Sequence, residues 1–295
     1  MSYVHDPTID RTMTLADGRV LGWSELGDPD GFPVLNNHGG LVCRLDVELA
    51  HDAARAMGVR IVSPDRPGIA TSDRRPERDT LDWADDVAEL LDHLGIDELG
   101  NMGWSMGGQY ALAVTHRLGS RVRATAVIAG CPPLDDASTF AELNDMDTRL
   151  TKMSADHPAL ARTTFAAIGR LEGMFPERMA KLSTRRSGPA DRAATLDHAD
   201  WLGAIMSAAA RDAHGMVDEY RAWVRPWRFG LADVAGPVSI WQGSDDDLVP
   251  AAWGERLAAA IPGAQLHRLD GEGHLIGVTH RTEVLRDLLA TARAS

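Results

Sequence analysis

Leu99-Gly100-Asn101-Met102-Gly103-Trp104-Ser105-Met106-Gly107-Gly108 decides how the rest of this chain is read. An apolar run, Leu99 to Trp104, has the length of a buried strand, and Met106 to Leu118 has the Ala-rich spacing of a helix. Between them Gly103-Trp104-Ser105-Met106-Gly107 matches the pattern G-x-S-x-G. A serine on so sharp a strand-to-helix turn is held out of the sheet in a strained conformation, and the flanking glycines avoid collisions with the neighbouring strand and helix. The helix that starts here also aims its N-terminal N–H groups at the turn, which favours a developing negative charge. Ser105 is therefore the candidate nucleophile. The competing reading is a glycine-rich turn carrying a solvent-facing serine.

Outward from the turn, short apolar runs alternate with helical patterns, as they do in parallel sheets joined by helices. Residues 12–26 read as a hairpin around Asp17-Gly18, a strong tight-turn pair. Pro33 to His38, Val59 to Ser63 and Val122 to Ala129 read as strands, and 46–57, 80–94 and 106–118 as helices. After residue 230 come a strand at Val238 to Trp241, a helix near 251–260, a strand at Gln265 to Leu269 and a last helix near 281–292. Residues 134–230 differ: they carry almost no β-branched runs and many Ala, Met, Leu and Arg. Four or five helices are expected there. About 100 residues is long for one crossover, so the stretch is read as a helical lid (cap) inserted into a core formed by 1–133 and 231–295.

A serine hydroxyl needs a base within hydrogen-bond reach and a third group that holds the base in the right tautomer. In this architecture the acid and then the base follow the serine along the chain. Gln242-Gly243-Ser244-Asp245-Asp246-Asp247-Leu248-Val249-Pro250 closes a strand with three competing aspartates. Asp246 is chosen from its offset to Gly243 and to Val249-Pro250. Asp247 is expected to cap the helix near 251. Asp245 stays open, as does an acid after the strand at 122–129, Asp135 or Asp136. The base is His274 in Gly271-Glu272-Gly273-His274-Leu275, with His280 the downstream competitor; the other histidines read as solvated or satisfied side chains. His38-Gly39-Gly40 closes the strand at 33–38, where a backbone N–H would pair with that of Met106 to hold an oxyanion, each such donor contributing about 3 kcal/mol. Gly40 is the favoured donor and Gly39 the fallback, while His38 reads as a structural residue of the turn.

Composition bounds the rest. The 295 residues are 44% hydrophobic and 25% charged, enough for a sizeable core, and the formal net charge is −13. That acidity argues against nucleic acid and against anionic lipid. Neither Cys43 nor Cys131 has metal-ligand spacing, no signal-peptide shape or apolar span is visible, and a cytoplasmic protein without cofactor or metal is expected. The expected partner is a small-molecule substrate; the oligomeric state is open, a homodimer included.

Taken together these residues resemble the α/β-hydrolase superfamily, in its lidded branch of small esterases, lactonases and cofactor-free relatives. Asp65-Arg66-Pro67-Gly68-Ile69-Ala70-Thr71-Ser72 is similar to that family's Asp-x-Pro-Gly-x-Gly-x-Ser turn, with Ala70 where glycine is usual; Leu41 stands where many members have proline. The resemblance implies an α/β fold with an eight-stranded, mostly parallel sheet, helices on both faces and the lid after strand 6. It implies cleavage of an ester, thioester or lactone of a moderately sized hydrophobic molecule, the Met and Trp residues of 134–230 hinting at the apolar character. Carbon–carbon cleavage of a diketone, lyase or cyclase chemistry without a cofactor, and a ligand-binding role are the alternatives. Relatives with an aspartate nucleophile, dehalogenases and epoxide hydrolases, are disfavoured by Ser105.

Overall fold

In the computed structural model, which describes residues 3–294, β1 (Asp10–Thr14) and β2 (Val20–Gly27) form the expected hairpin, with Gly18 at φ = 88° in the turn. β3 (Phe32–Asn37) follows. The helix expected at 46–57 is instead a 3₁₀ stretch, Arg44–Ala50, that tightens the entry to a short α1 (His51–Ala56). Then come β4 (Val59–Pro64), α2 (Thr80–His93), β5 (Leu99–Trp104), α3 (Gly107–Leu118) and β6 (Val122–Ile128). α2 shows why the pattern was readable. Trp83, Val87, Leu90 and Leu91 share its buried face, and Asp79 with Asp82 closes a reciprocal cap at its start.

Between β6 and β7 the chain forms seven α-helices and no strand: α4 (Ala137–Phe140), α5 (Asp145–Asp156), α6 (Pro158–Met174), α7 (Pro176–Ser183), α8 (Pro189–Asp197), α9 (Ala199–Ala209) and α10 (Ala213–Trp223). The excess over the expected four or five has a cause. Pro158, Pro176 and Pro189 each occupy the first turn of a new helix, where the missing N–H costs nothing, and each would break a helix running through it. The sheet then resumes with β7 (Val238–Gly243), α11 (Ala251–Ala260), β8 (Gln265–Leu269), α12 (Ile276–Thr279) and α13 (Arg281–Ala294).

The eight strands lie in the order β1-β2-β4-β3-β5-β6-β7-β8. The β1–β2 and β2–β4 pairs are antiparallel and the other five are parallel. Gly100 of β5 faces Leu288 of α13 while Gly103 faces Ala111 of α3, so helices cover both faces; the central strands are buried and mostly apolar, with Asn36, Asn37 and Asn101 buried among them. From β3 the chain turns to β4 on one side and crosses to β5 on the other. The crevice beyond the carboxyl ends of β3 and β5 is thus a switch point of the kind where open α/β sheets bind ligands. Cys43 and Cys131 are buried free thiols. No described helix is long and apolar enough to cross a membrane.

Candidate active site

Ser105 stands between β5 and α3 at φ = 55°, a left-handed conformation that costs a non-glycine residue about 1–3 kcal/mol. The turn is held from both sides: the Ser105 N–H donates to the Ile128 carbonyl (2.8 Å), and the Ser105 carbonyl accepts from the Gly108 N–H (2.9 Å). The spacing of glycines follows from contact. A Cβ on Gly103 would sit 2.2 Å from the Gly107 carbonyl oxygen, and one on Gly107 would sit 2.1 Å from that of Asn37. Neither position admits a side chain without moving backbone. Met106, buried, opens α3.

His274 follows β8, and its Nδ1 lies 2.9 Å from Asp246 Oδ2 with both side chains buried. Asp246 is fully engaged. Oδ1 accepts the N–H groups of Leu248 (2.9 Å) and Val249 (2.8 Å), and Oδ2 also accepts from Gln242 Nε2 (3.2 Å). Burial opposes a charge on His274, but the Asp246 carboxylate, with Asp191 and Asp147 beyond it, outweighs that and raises the imidazole pKa above its ordinary 6.5. The competing acids are elsewhere. Asp245 is exposed and accepts from Ser244 Oγ, while Asp136 caps α4. Asp247 does not cap α11, as expected of it; it accepts the Gly188 N–H (3.2 Å) from the loop before α8, and α11 follows Pro250 with no side-chain cap. His280 bonds Thr279.

The loop after β3 supplies the remaining backbone. The Gly39 N–H donates to Asp46 Oδ2 (3.0 Å), so it is committed, and Gly40 packs so close to Met106 that a Cβ would meet Cε at 3.0 Å. His38 is held within the turn. Its Nε2 accepts the Arg66 N–H (3.2 Å), so Nδ1 donates to the Gly39 carbonyl (2.8 Å), the pattern of a neutral ring. Complete burial, reinforced by Arg66, pushes its pKa well below the usual value.

Three contacts were outside the reach of sequence reasoning. Asp191 of α8 accepts the N–H groups of His274 (2.9 Å) and Leu275 (2.7 Å), and its carboxylate fills the space a Cβ on Gly273 would need. Arg66 donates to the carbonyls of His38 (2.5 Å) and Gly39 (2.9 Å) and pairs through Nε with Glu219 of α10 (2.7 Å). Glu219 also pairs with Arg78; burial would raise its pKa, yet the two guanidiniums hold it down to about 2. Acids on helices look like a solvated face in sequence. The one available signal was Gly273, whose lack of a side chain marks a close approach.

Ser105, His274, Met106, Gly39 and Gly40 all line one cavity of about 340 Å³. Most of its remaining wall comes from α5 to α10 and is apolar, including Met146, Ile168, Met179, Leu202, Met206 and Trp223. The other Met and Trp residues of this stretch pack elsewhere: Trp201, Met216 and Trp227 are buried in the core, and Met174 is exposed. Among the described residues no three of His, Cys, Asp and Glu are grouped to hold a metal ion.

Because the structure places Asp191 between the helical stretch and the His274 loop, its removal should be felt at the histidine. Asp191→Ala leaves two buried N–H groups unpaired, each costing about 1–3 kcal/mol. We expect any turnover assigned to this cavity to fall at least tenfold, with partial recovery in Asp191→Asn. Unchanged kcat in the alanine variant would remove Asp191 from the site.

Comparison with known proteins agrees with this architecture. A non-heme chloroperoxidase of Streptomyces lividans is 28% identical over 290 residues, covering 96% of this chain and 99% of the relative. A pimeloyl-[acyl-carrier protein] methyl ester esterase of Aromatoleum aromaticum is 30% identical over 229 residues, covering 76% of this chain and 83% of the relative. The crystal structure of the enol-lactonase from Burkholderia xenovorans LB400 superposes with a TM-score of 0.72 at 17% identity, covering 95% of this chain and all of the other. The model of the alpha/beta hydrolase fold matches residues 33–280, and the chain belongs to that family.

Proposed function

We propose that this protein is a serine hydrolase that cleaves an ester, thioester or lactone bond of a moderately sized hydrophobic small molecule. The observation that carries the reading is the shared cavity: a strained serine and a histidine held from behind by a buried aspartate open onto the same apolar space. Ser105 Oγ attacks the carbonyl carbon as its proton passes to His274 Nε2. The carbonyl oxygen becomes an oxyanion between the N–H groups of Met106 and Gly40, Gly39 being committed to Asp46. His274 returns the proton to the departing alcohol or thiol; a lactone keeps its alcohol attached to the acyl group. Water, deprotonated by the same histidine, then attacks the acyl-serine; as the intermediate collapses His274 returns that proton to Ser105 Oγ, and the acid is freed. Asp246 holds the ring with Nδ1 protonated and stabilises the imidazolium. Residues 134–230 act as the lid over a core of 1–133 and 231–295, and the unpaired Cys43 and Cys131 suit a reducing, cytoplasmic setting.

The test is turnover on a panel of aryl esters, thioesters and lactones of graded chain length. Hydrolysis of the apolar members supports the reading. Turnover of diketones alone would assign carbon–carbon cleavage, and tight binding without turnover would assign a binding role. The pH profile is a further check. His274 must be neutral to accept a proton, and its pKa is raised, so kcat/KM should fall with acid about a midpoint above 6.5. Asp246→Asn should move that midpoint down. A midpoint below 6.5 in the unaltered protein would contradict the assignment of His274.

A further inference from the structure

The wall of this cavity contains no lysine and no arginine, and it contains two acids, Asp147 and Glu172. They differ in what they touch. Asp147 is held within the protein, accepting from Tyr220 Oη (2.8 Å) on Oδ1 and from Asn144 Nδ2 (2.8 Å) on Oδ2. Glu172, on α6, is 9% exposed, and its carboxyl makes no hydrogen bond or ion pair. Its position is set by close helix packing. Gly203 of α9 presses on the Glu172 backbone, where a Cβ would come within 2.5 Å of the carbonyl oxygen, and Gly169 and Gly173 allow the same approach along α6. Glu172 lines the same wall as Met179, Leu202 and Met206, and burial raises its pKa with no charged neighbour to offset it. A lone carboxyl facing an apolar cavity costs free energy unless something pairs with it.

We propose that Glu172 is a specificity-determining residue that pairs with a cationic amine on the substrate, so that the cavity takes ammonium-bearing apolar molecules and rejects carboxylate-bearing ones. The proposal rests on the reading of this cavity as the substrate site. An ammonium at the far end of an apolar chain gives Glu172 the partner the protein does not provide, whereas a carboxylate there would meet two acids and no cation. Apolar walls would bind the intervening chain whichever end group it carries.

The experiment needs no turnover. Hexylammonium, hexanol and hexanoate are titrated separately into the full chain near neutral pH, and binding is followed by the fluorescence of Trp104 and Trp223, which line the cavity. Hexylammonium is expected to bind about tenfold or more tightly than hexanoate, with hexanol between them, the scale of one charge-assisted hydrogen bond. In Glu172→Gln, which keeps the shape and removes the charge, the preference for hexylammonium over hexanol should vanish. Equal affinities for the three ligands in the unaltered protein would overturn the proposal, and so would a preference that survives Glu172→Gln. Ester turnover without the ammonium preference would leave the hydrolase reading standing and remove this one. The preference without any turnover would do the reverse.

Discussion

Ser105→Ala is expected to lower kcat for ester hydrolysis by about six orders of magnitude, the scale seen when a serine protease loses its nucleophile. The substitution removes one oxygen and leaves the rest in place. Ser105 holds its backbone at φ = 55° through bonds made by its N–H and carbonyl, both of which alanine retains. The fold should therefore survive, with an unfolding midpoint close to that of the unaltered protein. What remains is a cavity with its backbone donors and apolar walls, which still binds an ester and polarises its carbonyl. Residual catalysis of about 10³–10⁴ over water is expected from those parts alone. Stopped assays on an aryl ester, with thermal unfolding run beside them, separate the two effects. Substantial turnover by a well-folded alanine variant would mean that another nucleophile, or none, does the chemistry.

Asp246→Asn should cost about four orders of magnitude in kcat, and Asp245→Asn close to nothing. The carboxylate of Asp246 accepts on both oxygens: Leu248 and Val249 on one side, His274 and Gln242 on the other. An amide cannot satisfy this set. With its NH₂ toward Leu248 and Val249 it opposes two N–H donors and loosens the loop. With its NH₂ toward His274 it donates to Nδ1, which places the ring proton on Nε2, and that nitrogen can then no longer take the proton of Ser105. Asp245, by contrast, is exposed beside Ser244. Rates for the two variants, read on the same ester, decide between the aspartates; an equal loss, or a larger one at Asp245, would contradict the role given to Asp246.

The parts of this molecule that sequence could show are those governed by local backbone rules. The turn at Ser105 is visible because Gly103 and Gly107 have no room for a Cβ, and the sheet because its buried strands are short, mostly apolar runs. The two departures from the family's pattern also acquire a physical sense. Leu41 lies at φ = 61°, which proline, fixed near −65°, cannot adopt, so the loop beside Gly40 takes a path closed to members with proline there. Ala70 lies at φ = 43°, a conformation in which the usual glycine would carry no strain. What sequence did not show depends on chain segments far apart. Asp247 stood where a helix cap would stand, yet its partner is the Gly188 N–H. Asp191, Glu172 and Glu219 sit in helices where an acid reads as a solvated face, and only the packing of those helices against one another and against the loops at His274 and Arg66 turns them inward. Residues 134–230 hold more helices than their length suggests because Pro158, Pro176 and Pro189 each open a new one.

The measurement that bears most directly on Ser105 is reaction of the folded protein with a fluorophosphonate, followed by intact mass and peptide mapping. The account predicts a single adduct on Ser105, lost after heat denaturation and lost in His274→Ala, because only the assembled base and backbone donors make that hydroxyl reactive. No adduct on a folded protein, or one that maps to another residue, would contradict it.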